Sequence, residues 1–175
     1  MTNQTVEKEV INMFSRFKKS PTNSEELFAP VNGDVVEITE VPDVVFSQKM
    51  MGDGFGIIPK DGRVLSPVEG KIVQIFPTKH ALGIETKSGL ELLIHIGLET
   101  VTLKGEGYDV IVSEGQSVKV GDPLVNVDLQ LLEEHSLEII TPVVITNFAD
   151  KVKRLHVTTE GTVSAGQAIA IVELN

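Results

Sequence analysis

Two histidines, His80 and His95, are the residues whose type and spacing most directly permit chemistry. They lie on either side of a short turn, Lys87-Ser88-Gly89, so we expect them to meet across a β-hairpin. A turn at Lys87-Ser88 would pair His80 with His95, and a turn at Ser88-Gly89 would pair His80 with Gly97. In both registers the two imidazoles lie on the same face, with Cβ atoms about 5–8 Å apart. Such a pair can bind a metal ion or share a phosphoryl group.

The strand that contains His95 indicates on which side this histidine lies. Alternate residues are apolar and predict the buried face: Leu90, Leu92, Ile94 and Ile96. His95 then points outward beside Leu93, so it is not a core histidine. A phosphoryl acceptor needs an unprotonated attacking nitrogen, with the other ring N–H bound to an acceptor. A backbone carbonyl near Gly97 could be that acceptor, and Thr78 could hydrogen-bond to the ring of His80.

A metal centre would need more ligands than this pair supplies, because a catalytic zinc ion takes about three protein ligands. The other two histidines, His135 and His156, are predicted in a helical turn and a late strand, with nothing to link them to the pair. No His-x-His or His-Glu-x-x-His motif occurs. We expect no complete zinc site and no required cofactor. Zinc bound by His80 and His95 and completed by a partner's carboxylate stays open.

Composition excludes several classes of protein. The 175 residues suffice for one domain with a full core, and the net charge of −10 argues against non-specific nucleic-acid binding. The same charge can steer a basic protein partner. Without cysteine there is no disulfide or thiol chemistry, and no apolar run has the length of a membrane span. With no signal peptide, we expect a cytoplasmic monomer.

The chain divides into a short N-terminal segment, residues 1–26, and a β-rich domain, residues 27–175. Residues 1–19 predict an amphipathic helix with a basic end, which could associate weakly with the inner face of the membrane or dock on its own domain. Residues 20–26 predict a linker. From Leu27 onward, short Val- and Ile-rich runs alternate with Gly turns, which is typical of an antiparallel sandwich or barrel. We expect helical turns only at 129–137 and 149–155.

An internal repeat supports a duplicated β-motif. Residues 114–124 and 160–169 share the pattern of a Gly, a Val, a second Gly and then an apolar strand.

Apolar residues without an obvious core position surround the histidines and predict a protein-docking surface with an acidic rim. The alternative for Phe46 and Phe76 is an ordinary place in the core. The apolar set is Val45, Phe46, Phe76, Leu93 and Val101, and the acidic set is Asp43, Glu99 and Glu106.

Several of these segments resemble the glucose-type IIA component of the bacterial phosphoenolpyruvate-dependent sugar phosphotransferase system. They are VPDVVF (41–46), MGDG (51–54), SPVEG (66–70), KHA (79–81), LLIHIGLETV (92–101), KGEGY (104–108) and TPVVITN (141–147). The resemblance implies an all-β sandwich of duplicated hybrid-motif type. It also implies a phosphocarrier that accepts a phosphoryl group from the protein HPr and passes it to a cysteine of the IIB domain of a sugar permease.

The resemblance implies a role for each site residue. His95 would be phosphorylated at Nε2, and His80 would be the accessory histidine, supported by Thr78. Gly97 would supply the carbonyl that holds the acceptor ring. Asp43 and Glu99 would be acidic rim positions that meet basic residues of the partners. In some members the two histidines bind zinc with a glutamate from a regulated partner.

Departures from the family pattern affect the surroundings of the histidines and leave alternatives open. Leu93 and Leu82 replace bulkier residues, and Pro77 and Lys79 flank the site differently. Regulated enzymes or transporters, controlled through the phosphorylation state, stay open as further partners. One alternative is a zinc peptidase of lysostaphin-like fold. Another is a lipoyl or biotinyl carrier, although no Met-Lys-Met motif occurs. A third is a regulatory binding module that is never phosphorylated.

Overall fold

Short β-branched runs separated by turns form fourteen strands in residues 23–175, the part of the chain described by the computed structural model. The strands are β1 (Ser24–Phe28), β2 (Gly33–Glu37), β3 (Asp53–Pro59), β4 (Arg63–Leu65), β5 (Gly70–Ile75), β6 (Ala81–Thr86), β7 (Glu91–His95), β8 (Tyr108–Val110), β9 (Ser117–Val118), β10 (Pro123–Val127), β11 (Thr141–Ile145), β12 (Val152–Val157), β13 (Gly161–Val163) and β14 (Ala168–Leu174). Helices are short: α-helices at Val44–Ser47, Leu129–Glu134 and Phe148–Lys151, and 3-10 helices at Ile38–Glu40 and Thr100–Leu103.

The strands form three antiparallel sheets. Eight strands make the largest, in the order β13-β2-β3-β11-β7-β6-β5-β9, and the two smaller sheets are β1-β14-β12 and β4-β10-β8. The sheets enclose a core of aliphatic side chains, including Leu92, Ile94 and Ile96, each at most 1% exposed. Burial of such a side chain contributes about 1.5–3 kcal/mol. The predicted all-β sandwich is confirmed.

A second, smaller apolar cluster covers the other face of the large sheet where β7 and β11 run side by side. Its buried members are Ile38, Val41, Phe46, Ala81, Leu93, Leu98, Ile140 and Val144. The smaller cluster shares no residue with the main core. The large sheet is therefore apolar on both faces where β7 and β11 run side by side. His95 lies at the margin of the smaller cluster and not in the main core.

The β6–β7 hairpin has a register that the sequence prediction missed, and both predicted pairings are wrong. Ala81 lies opposite His95, and Leu82 lies opposite Ile94. The reason is a three-residue loop in place of a two-residue turn: the N–H of Gly89 donates to the carbonyl of Thr86 at 3.0 Å. Gly89 has a φ of +85°, in the left-handed region where glycine carries no steric cost.

Two side chains from outside the hairpin hold this loop. Asn147 donates from Nδ2 to the carbonyl of Gly89 at 2.8 Å and accepts at Oδ1 from the N–H of Glu91 at 3.1 Å. A carboxylate oxygen of Glu25 accepts from the hydroxyls of Thr86 and Ser88. The loop is therefore held by hydrogen bonds from two other segments of the chain.

The internal repeat appears in the structure as two equivalent strand–turn units. In the first, Gly121 N–H donates to the carbonyl of Ser66. In the second, Gly166 N–H donates to the carbonyl of Ala29. Ser66 and Ala29 each precede a proline, and their N–H groups return to the same two turns. The matching bonds agree with a duplicated motif.

Two predicted boundaries differ from the structure. The predicted helical stretch 149–155 is helical only to Lys151, and β12 follows because Leu155 and Val157 alternate with exposed polar residues. Strand β1 begins at Ser24, which pairs with Glu173, so residues 24–26 belong to a sheet and not to a linker. The predicted amphipathic helix at 1–19 lies outside the described residues. Within residues 23–175, every helix is too short or too polar to cross a bilayer.

Candidate functional site

The imidazoles of His80 and His95 meet at one end of the β6–β7 hairpin. Their ring centroids are 4.8 Å apart, with the ring planes at 73°. His80 precedes β6, at the end of a tight turn in which Lys79 N–H donates to the carbonyl of Phe76 at 2.8 Å. Lys79 adopts a φ of +60°. His80 is not paired with His95 itself: the turn positions it, and its carbonyl accepts from Ile96 N–H across the hairpin at 2.7 Å.

Each imidazole is held through its Nδ1 atom. Nδ1 of His95 lies 2.7 Å from the carbonyl oxygen of Gly97, and Nδ1 of His80 lies 2.7 Å from the hydroxyl of Thr78. A carbonyl can only accept, so Nδ1 of His95 carries the proton. In the neutral ring, Nε2 then holds an unshared lone pair. The two hydrogen bonds expected from the sequence are present.

Burial makes both rings poorer bases. It lowers the pKa of His95; the hydrogen bond to the carbonyl of Gly97 opposes part of this effect, nearby His80 adds to it, and the carboxylate of Asp43 opposes it. Burial also lowers the pKa of His80, which is only 7% exposed. Both imidazoles are therefore neutral at pH 7, the state in which a ring nitrogen can act as a nucleophile.

Aromatic rings border the pair on two sides. Phe46 contacts the ring of His95 edge-on, with centroids 5.2 Å apart. Phe76 lies 5.7 Å from the ring of His80. These contacts restrict both imidazoles to one orientation and contribute to their burial.

The predicted docking residues separate into buried and exposed groups. Phe46 is 5% and Leu93 6% exposed, so both are largely core, while Val45 and Phe76 are half-buried. Val101 is 53% exposed, in the 3-10 helix that follows Gly97. Sequence reasoning missed Val44 and Met50, which are 65% and 70% exposed on and just after the helix that contains Phe46. The apolar surface beside the site therefore comes mainly from residues next to those predicted.

The acidic residues lie in two loops around the site. Asp43 caps the helix Val44–Ser47, because its side chain accepts from the N–H of Val45 at 2.8 Å. Glu99 and Glu106 are exposed in the loop after β7. Glu99 has a left-handed φ of 57°.

His80 and His95 do not supply enough ligands to hold a metal ion by themselves. Among residues 23–175, no three His, Cys, Asp or Glu side chains come together as a metal-binding group. His135 hydrogen-bonds to the carbonyl of Leu131, and His156 lies on β12 in another sheet. The pair supplies at most two ligands.

Comparison with known proteins identifies the family. The model for the phosphoenolpyruvate-dependent sugar phosphotransferase system, EIIA 1, matches residues 25–151. The chain belongs to this family. It is a component of the sugar phosphotransferase system, and the zinc-peptidase alternative has no support.

Relatives and a solved structure agree with this assignment. The chain is 45% identical to the glucose-specific EIIA component of Staphylococcus epidermidis over 159 residues, 91% of this chain and 95% of the relative. It is 48% identical to the glucose-specific EIICBA component of Staphylococcus carnosus, matching 84% of this chain but 22% of that longer protein. The glucose permease IIA structure from Mycoplasma capricolum matches with a TM-score of 0.80 and 43% identity, covering 89% of this chain and 97% of that one.

Proposed function

We propose that this EIIA protein accepts a phosphoryl group on Nε2 of His95 from phospho-HPr and passes it to a cysteine of the IIB domain of a sugar permease. The observation that carries the proposal is the hydrogen bond from Nδ1 of His95 to the carbonyl of Gly97. It leaves the lone pair on Nε2, in a ring that burial keeps neutral.

The transfer is a displacement at phosphorus. The Nε2 lone pair of His95 forms a bond to phosphorus as the bond to the donor breaks, and the donor keeps that electron pair. Onward transfer reverses the arrangement: a thiolate attacks, and the P–N bond electrons return to Nε2. Charge spreads over the three equatorial phosphoryl oxygens, so positioning and charge stabilisation account for most of the catalysis.

His80 is the group suited to stabilise that charge. When the hydroxyl of Thr78 donates to Nδ1 of His80, the ring proton is on Nε2. The centroid separation of 4.8 Å supports a role for this N–H donor close to the acceptor nitrogen of His95. The two rings then have opposite roles: His95 is the nucleophile, and His80 donates a hydrogen bond to the transferred group.

The surroundings suit a protein partner that carries the phosphoryl group. Exposed Val44, Val101 and Met50 offer apolar contact, and Asp43 and Glu99 offer negative charge to basic residues of HPr or IIB. The Staphylococcus carnosus relative is named as one EIICBA chain, which supports exchange with a permease. The names of the relatives favour glucose as the sugar that the permease transports.

No cofactor enters this transfer, because both displacements need only the imidazole, the donor and the thiolate. We expect zinc to bind His80 and His95 only when a partner supplies further ligands. Transfer of this kind would take place in the cytoplasm.

The test is the intact mass after incubation with phosphoenolpyruvate, enzyme I and HPr. We expect one acid-labile phosphoryl group on the wild type, on His80→Gln and on the control His156→Gln, and none on His95→Gln. Addition of a IIB domain should remove the group from the wild type and the control but not from His80→Gln. An unmodified wild type with active HPr present would overturn the proposal.

A further inference from the structure

The carbonyl of Gly97 sets the tautomer of His95, but a glycine does little to fix the direction of its own carbonyl. Gly97 has a φ of +75° and no side chain, so its backbone has more freedom than any other residue type would have there. Its carbonyl direction therefore depends on what holds the two peptide units on either side. The following contacts of those units are present in the described chain.

The peptide unit after Gly97 is held by a backbone hydrogen bond. Leu98 N–H, which shares a rigid plane with the carbonyl of Gly97, donates to the carbonyl of Glu138 at 2.9 Å. The peptide unit before Gly97 consists of the carbonyl of Ile96 and the N–H of Gly97. The peptide unit that precedes it is held by Ile96 N–H, which donates to the carbonyl of His80 at 2.7 Å.

Two side-chain hydroxyls hold the peptide unit before Gly97. The hydroxyl of Tyr108 donates to the carbonyl oxygen of Ile96 at 2.8 Å, and the hydroxyl of Thr100 donates to the same oxygen at 3.1 Å. Together they occupy both lone pairs of that oxygen. Thr100 is fully buried and Tyr108 is 5% exposed, so water does not readily replace either donor.

We infer that Tyr108, together with Thr100, is a positioning residue for the phosphoryl transfer: the two hydroxyls fix the Ile96–Gly97 peptide so that the carbonyl of Gly97 keeps the proton of His95 on Nδ1. The expected effect on the transfer rate rests on the proposed function, whereas the expected effect on the tautomer of His95 does not. Tyr108 belongs to β8, in a different sheet from β7. The contact therefore connects the geometry of the site to a second sheet of the sandwich.

Loss of one hydroxyl should leave the carbonyl of Gly97 in place but make its orientation toward His95 less well fixed. A fraction of His95 would then carry its proton on Nε2, and this fraction cannot attack phosphorus. A net hydrogen bond of ordinary strength corresponds to about a two- to tenfold change in the ratio of the two tautomers. The slowing should appear in the maximal single-turnover rate and not in the concentration of phospho-HPr at half-maximal rate, because the docking surface is unchanged.

The experiment uses the full chain with Tyr108→Phe, Thr100→Val and the double variant. Tyr108→Phe removes one hydroxyl and keeps the ring, so this variant retains the packing of Tyr108. The matched control is Ser66→Ala, which removes a hydroxyl that donates to a buried backbone carbonyl, that of Val68, at 2.8 Å. Ser66 is 1% exposed, so this control should lose a similar amount of stability.

Two readouts are compared in the four proteins and the wild type. The ¹⁵N chemical shifts of the His95 ring should show Nδ1–H in the wild type and Ser66→Ala, with growing Nε2–H in the two single variants and most in the double variant. The maximal single-turnover rate should fall in the variants by the same factor as the Nδ1–H fraction that the ¹⁵N shifts report, about twofold where a tautomer ratio of about ten falls tenfold, and remain at the wild-type value in Ser66→Ala.

Unchanged ¹⁵N shifts in the double variant would overturn the inference. So would a rate loss in Ser66→Ala equal to that of Tyr108→Phe, because the effect would then follow stability alone. A wild type that accepts no phosphoryl group overturns the proposed function instead, and the ¹⁵N shifts still decide whether the hydroxyls set the tautomer.

Discussion

The rings of His80 and His95 have centroids 4.8 Å apart although Ala81, and not His80, lies opposite His95 in the sheet. Residue 81 has a small side chain that is fully buried beneath the pair. The turn before β6 then brings His80 over this position from outside the strand. The two imidazoles thus belong to separate local structures, a strand end and a turn, and each has its own hydrogen-bond partner.

Replacement of Gly97 by alanine should destabilise the protein and disturb His95. A Cβ atom at Gly97 would lie 2.7 Å from Cγ2 of Thr100 and 2.9 Å from the carbonyl oxygen of Glu138. The left-handed backbone costs an alanine about 1–2 kcal/mol, and overpacking adds about 1–3 kcal/mol. Urea denaturation measures the loss. Gly115→Ala is the control, since Gly115 has a φ of +86° and a Cβ atom there would meet nothing within 4 Å; equal losses would contradict the steric argument.

The stability of the protein should fall as the pH drops below about 6.5, the pKa of an unfolded histidine. Burial lowers the pKa of His80 and His95 in the folded state. Between the folded and unfolded pKa values the unfolded chain binds more protons, so acid favours unfolding; the contribution is fully present above the unfolded pKa. The free energy of unfolding by urea, measured from pH 7.5 to 5.5, should fall more in the wild type than in His80→Gln/His95→Gln. The same slope in both proteins would exclude the pair as its source.

Tyr108 should titrate far above an ordinary tyrosine. Burial raises its pKa to about 12. Tyr108 is the one tyrosine in a chain without tryptophan, so absorbance at the tyrosinate wavelength follows this residue alone. The folded state binds more protons than the unfolded state between the two pKa values, so stability falls as the pH rises through this range. A midpoint in the folded protein equal to that in urea would contradict the buried hydroxyl.

Asp43→Asn should slow phosphoryl acceptance in a salt-dependent way. Asparagine can still cap the helix Val44–Ser47, but the negative charge beside the site is lost. We expect the second-order rate constant with phospho-HPr to fall about threefold or more at low salt, with a smaller difference at high salt, because screening weakens attraction between surface charges. Glu26→Gln, an equal change of charge at the exposed position of β1, is the control. The same fall in both variants would mean that net charge alone is responsible.

The sequence was sufficient for most of the strands and for the face of β7 on which His95 lies. The alternation of Leu92 and Ile94 gave the buried face of β7, and His95 lies on the opposite face as predicted. The register was missed because only turn chemistry was considered. Leu82 and Ile84 on β6 also alternate, and both predicted registers would place them on the face of Leu93 and His95 and not on that of Leu92 and Ile94. That signal was available and excludes a two-residue loop.

Other features depended on contacts that no local pattern contains. The hydroxyl of Tyr108 reaches the carbonyl of Ile96 from another sheet, so neither residue type nor spacing indicates the bond. Phe46 and Leu93 were predicted at a docking surface because each is apolar beside a histidine. Their burial in the smaller apolar cluster follows from strand and helix packing across the large sheet. The roles of the site residues and of residues 1–19 remain predictions.

The pairing of β1 with β14, in which Ser24 lies opposite Glu173, brings the first and last strands of the described domain side by side. A short peptide could join the two strands, and new chain ends could be opened at the Gly115 turn, where a Cβ atom on the glycine would meet no other atom within 4 Å. Such a circular permutant should retain the histidine pair, because β6 and β7 stay continuous. The order in which the segments are connected is thus separable from the geometry that they create.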